Sequence, residues 1–75
     1  MQSIDLNALT LLMSTATVRE ALVMPYRQGY QVKVRWGHVE KSLRSQREPI
    51  REFRSINSAC KVLKGAGFQQ VTVVL

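Results

Sequence analysis

Seventy-five residues with eleven Lys and Arg against five Asp and Glu carry a net charge of +6, and a chain this short hides only about 60% of its extended surface on folding, enough for one domain with a marginal core. One cysteine, Cys60, and one histidine, His38, exclude an internal disulfide and supply poorly for a structural metal, so oligomerisation is the remaining source of extra stability. The charge is regional: residues 27–64 hold ten bases and three acids, a net of +7, while residues 1–26 sum to −1 and residues 65–75 carry no charged side chain.

Leu6, Leu9, Leu12, Met13 and Ala16 recur at spacings of three and four, which predicts an amphipathic helix over about residues 4–14. Ser3 or Asp5 is placed to accept hydrogen bonds from its first turn, and Ser14, Thr15 and Thr17 weaken its end. Residues 18–24 read as a strand with weak alternation, and Pro25, which cannot donate, and Gly29, which tolerates positive φ, mark a hairpin loop over residues 25–29. The clearest strand is 30–36, where Tyr30, Val32, Val34 and Trp36 alternate with Gln31, Lys33 and Arg35. Gly37 and His38 turn the chain into a third strand, 39–43.

Residues 44–49 are too polar for a core and predict an exposed loop or bulge, after which residues 50–53 resume the third strand. Ser55 is a good N-cap for a second helix whose apolar stripe is Ile56, Ala59, Cys60, Leu63 and Ala66, with Gly65 and Gly67 available to end it. Residues 71–75 are β-branched and uncharged, as expected of a strand covered on both faces or of an edge paired to another molecule through Val71, Val73 and Leu75. No repeat, low-complexity tract or Gly/Ser/Pro-rich linker divides the chain. The expected fold is a single α+β domain in the order α-β-β-β-α-β, an antiparallel meander with two helices packed on one face and a basic, wet face opposite.

Chemistry for catalysis is sparse. His38 falls in a turn, where a solvated histidine is expected, and Cys60 sits on the apolar side of the second helix as a small buried hydrophobe. Gly65 and Gly67 close a helix, whereas phosphate-binding glycine loops open one. The expectation is a non-enzyme without cofactor or metal. The bases point to binding instead: Lys33 and Arg35 share the polar side of one strand, with Lys41 or Arg44 beside them depending on register, and Arg47, Arg51 and Arg54 follow. Such a surface suits phosphates or an acidic protein, and the plainer reading is a charged face that keeps a small protein soluble. The phase of Tyr30 and Trp36 with Val32 and Val34 argues for core, against an outward aromatic platform for bases. The start Met-Gln-Ser-Ile-Asp is unlike a signal peptide, no run reaches the roughly 18 apolar residues of a membrane span, and a lone cysteine fits a reducing compartment. A soluble, cytoplasmic protein without membrane contact is expected.

Three stretches carry a resemblance: residues 1–9 with Val18-Arg19-Glu20-Ala21, then Tyr30-Gln31-Val32-Lys33-Val34-Arg35-Trp36-Gly37, then Arg51-Glu52-Phe53-Arg54-Ser55-Ile56-Asn57-Ser58-Ala59 with Leu63 and Gly67-Phe68. Together they resemble the small ParC-type partition-associated proteins of bacterial plasmids and integrative elements, unrelated to the topoisomerase subunit of that name. The resemblance implies a part in maintaining mobile DNA and carries no enzymatic site; binding of a protein partner or of another copy of itself is expected from the uncharged strand 71–75 and the basic face. The missing polar tail after Leu75 departs from that pattern and leaves the pairing of the last strand open. Residues 30–63 alone are similar to the arm-type β-sheet DNA-binding domains of phage-type integrases, which implies that Lys33, Arg35, Lys41 and Arg44 face DNA, on phosphates or a guanine edge.

Overall fold

The computed structural model describes residues 3–15, 18 and 20–74. The periodic leucines near the start form helix α1 (Leu6–Ser14), capped by the Asp5 carboxylate, which accepts the Ala8 N–H at 2.7 Å. A two-residue strand, β1 (Ser3–Ile4), precedes it and was not expected, since two residues show no alternation. The next strands are β2 (Glu20–Tyr26), β3 (Gly29–Trp36) and β4 (Val39–Leu43). Pro25 is the penultimate residue of β2, so the first hairpin turn is only Arg27 and Gln28, shorter than the expected loop. Helix α2 (Ile56–Ala66) begins at Ser55, whose hydroxyl accepts the Ser58 N–H at 3.1 Å. It ends at Gly67 (φ 117), with Phe68 N–H donating back to the Leu63 carbonyl, a Schellman-type stop that needs glycine's left-handed freedom. Strand β5 is Thr72–Val73. Ala16 of the expected helical stripe, Arg19 and Leu75 lie outside the described residues.

The class is α+β, with a mixed five-stranded sheet in the order β1-β4-β3-β2-β5. This corrects the antiparallel meander and the α-β-β-β-α-β order. β2, β3 and β4 are antiparallel neighbours, but β1 pairs parallel to β4 (Ser3 with Ser42) and β5 parallel to β2 (Leu22 with Thr72). Four strands therefore run one way and only β3 runs against them. Each parallel pairing is possible because a helix carries the chain across the sheet between β1 and β2 and between β4 and β5. Residues 50–53 do not resume β4. Instead Phe53 alone bridges Tyr30, exchanging backbone hydrogen bonds of 2.9 and 2.8 Å.

One core holds the layers together. Ala21, Val23, Val32, Val34 and Leu43 face the helices and pack with Leu9 of α1 and Ala59, Leu63 and Ala66 of α2. Tyr30, Trp36 and Cys60 are half-buried against that cluster. Residues i and i+2 share a side of a strand, so the open face carries Glu20, Leu22 and Met24 of β2 beside Gln31, Lys33 and Arg35 of β3. Leu22 is only 4% exposed there, set in register between Lys33 and Thr72.

Candidate nucleic-acid interface

The open sheet face was the expected binding surface, and Lys33 and Arg35 do lie on it. Register decides what stands beside them. Lys33 pairs with Ser42, and Arg35 pairs with Glu40 on one side and Glu20 on the other. Arg35 Nε donates to Glu40 Oε1 at 2.9 Å, its terminal nitrogen lies 3.9 Å from Glu20, and Lys33 Nζ lies 3.7 Å from Glu40. Two bases and two acids form a neutral quartet, so the centre of this face offers phosphates little net attraction. Lys41 pairs with Val34, which puts it on the helix side, against the expectation that it could join Lys33 and Arg35.

The remaining arginines gather elsewhere. The four parallel strands end at one pole of the molecule, where β3 and both helices begin and residues 44–54 form an arch. Arg44 N–H donates to the Ile4 carbonyl at 2.9 Å, Arg51 N–H to the Leu43 carbonyl at 2.8 Å, and the Phe53 bridge returns the chain to β3. At the crest, Ser45 N–H donates to the Glu48 carbonyl and Glu48 N–H to Ser45 Oγ, closing a tight turn that carries Gln46 and Arg47. Arg44, Arg47, Arg51 and Arg54 sit on this arch. Arg27 joins them from the tip of the β2–β3 hairpin. None of these five guanidiniums is ion-paired to a carboxylate among the described residues.

Several of these side chains are held in place. Arg44 Nε donates to the Ser45 carbonyl at 3.2 Å. The guanidinium of Arg51 lies 4.7 Å from the centre of the Phe53 ring and that of Arg27 lies 5.1 Å from the Tyr26 ring, the geometry of cation–π contacts. Arg27 is the one non-glycine residue with positive φ (54) among the described residues, a conformation that costs an L side chain roughly 1 kcal/mol or more. Arg27 belongs to the basic region of the sequence, but neither its backbone conformation nor its approach to the arch is a local signal.

Around the pole the surface is concave. A first cleft of about 800 Å³ opens between the start of α1 and the arch, lined by Arg44, Arg47 and Arg51 together with Asp5 and Glu48. A second, of about 400 Å³, lies across the Ser45–Glu48 turn and is lined by Tyr26, Arg27, Arg51 and Glu52. The third, about 370 Å³, holds Glu52 and Arg54. Arg51 lines the first two and Glu52 the last two, so the three run in series.

His38 is exposed in the β3–β4 turn and Cys60 is half-buried on α2. Among the described residues no three His, Cys, Asp or Glu side chains are grouped to hold a metal ion, and no helix is long and apolar enough to cross a membrane. At the far sheet edge, Val73 and Val74 are 39% and 43% exposed. No protein-family model, no curated protein and no solved structure matches this chain.

Proposed function

We propose that this chain is a non-enzymatic, nucleic-acid-binding accessory protein of mobile DNA, gripping phosphates with the arginines at the carboxyl end of its parallel strands. The observation that supports this is the gathering of five arginines, free of carboxylate partners among the described residues, at one pole of a chain of net charge +6. Arginine suits the task because its planar donor fork matches phosphate oxygens and stays charged at any physiological pH. The resemblance to ParC-type proteins supplies the context of plasmid or integrative-element maintenance.

Titration of labelled DNA at two salt concentrations tests the reading. If Arg44, Arg47 and Arg51 each neutralise one phosphate, a fourfold rise in salt weakens binding roughly 20- to 40-fold. Replacing all three by alanine removes most of that dependence. No binding at low salt, or binding indifferent to the three replacements, sinks the proposal.

Self-association is a second reading, supported by the exposed Val73 and Val74 on an edge strand that carries no charge, proline or bulge over residues 71–74 to block pairing. A second copy adding its own β5 there would bring two positively charged chains together through their uncharged ends. Sedimentation that stays monomeric at every concentration removes this reading.

A further inference from the structure

We infer that the arginine pole is built for a single nucleic-acid strand rather than a duplex; the inference rests on the phosphate-binding reading above and adds the form of the ligand. Duplex readers push a protruding helix or β-ribbon into a groove, or lay an evenly basic surface along both phosphate rows. The described residues offer neither. The open sheet face holds Lys33 and Arg35 in a neutral quartet with Glu20 and Glu40, and the arginines without carboxylate partners among the described residues line clefts.

The composition of the clefts points the same way. Arginines and acids share the walls of every cleft: Arg44, Arg47 and Arg51 with Asp5 and Glu48 in the first, Arg27 and Arg51 with Glu48 and Glu52 in the second, Arg54 with Glu52 in the third. A duplex presents only phosphates to such a trough, and the acids repel them. A single strand presents phosphates to the arginines and also amino groups of unpaired bases, which carboxylates accept as they do cytosine N4. Tyr26, half-buried in the second cleft with the Arg27 guanidinium on its ring, supplies a flat surface for stacking a base. The molecule measures 33 × 24 × 22 Å, so its end spans about four nucleotides, the low end of the range for a single-strand-binding domain.

The test uses a fluorescent mixed-sequence strand of about 15 nucleotides, as DNA and as RNA, and the same DNA strand annealed to its complement. Anisotropy should show either single strand bound at least about tenfold tighter than the duplex, with log affinity falling against log salt by about 0.7 per phosphate contacted. Arg47→Ala should lower that slope by about 0.7. Tyr26→Ala should weaken binding by about tenfold with the slope unchanged, and Tyr26→Phe should restore it. Replacing Lys33 and Arg35 together should alter neither. A duplex bound as tightly as the strands, with the same loss on Arg47→Ala, overturns the inference and leaves phosphate binding standing. Failure of all three probes to bind at low salt removes the parent reading itself. Arg47 is exposed in a turn, so its replacement keeps the test valid even where Tyr26→Ala destabilises the fold.

Discussion

Gly29→Ala should loosen the whole arginine arch, although Gly29 lies outside it. Gly29 is the buried first residue of β3, and an added Cβ would drive into the Phe53 carbonyl oxygen and stand 3.3 Å from Glu52 Cγ. The obstacle is backbone, so the chain at Phe53 must retreat. Retreat breaks the two hydrogen bonds between Tyr30 and Phe53, of 2.9 and 2.8 Å, each worth about 1 kcal/mol. It also unseats the Phe53 ring, 4% exposed in the core, and overpacking of this kind adds about 1–3 kcal/mol. The expected loss is about 3–5 kcal/mol, against a total of roughly 4–11 kcal/mol for 75 residues. Urea denaturation followed by Trp36 fluorescence gives the total, and hydrogen exchange at the Tyr30 and Phe53 amides locates it. A loss under about 0.5 kcal/mol with both amides still protected would refute the claim that this bridge holds the arch.

Three further outcomes follow from the same structure. Leu63→Ala empties a fully buried position where α2 meets the sheet and should cost about 2–5 kcal/mol in denaturant melts, leaving the protein partly unfolded at 37 °C. Ser55→Ala removes the acceptor for the Ser58 amide and should cost about 1 kcal/mol, with Ser55→Asp recovering most of it in the same assay. Val73→Lys places a charge on the exposed β5 edge and should abolish concentration-dependent sedimentation, with a melting temperature that, extrapolated to low concentration, stays within a few degrees of the parent; association unchanged by the lysine would move any self-contact away from this edge.

Much of the scaffold was legible because its signals are local. Ser55, the 56–66 stripe and Gly67 describe α2 completely, since a cap, a period of 3.6 and a left-handed stop are properties of neighbouring residues. The alternation of Tyr30, Val32, Val34 and Trp36 likewise assigned β3 its core side and sent Lys33 and Arg35 outward. The two parallel pairings were hidden, because Ser3 meets Ser42 and Leu22 meets Thr72 across 39 and 50 positions of chain, and the short runs involved carry no pattern of their own.

The site divides along the same line. The amino-acid sequence by itself determined that residues 27–64 are strongly basic, that catalytic residue types are scarce and that the last residues are uncharged. Only tertiary structure decided which bases remain without acidic partners. A strand side chain's neighbours are set by register, and a shift of one residue exchanges the two faces, so Arg35 meets Glu20 and Glu40 while Lys41 turns to the helix side. The gathering of Arg27 with Arg44, Arg47, Arg51 and Arg54 follows from topology: parallel strands end together, and the hairpin and the arch that carry these arginines leave the sheet at that common end.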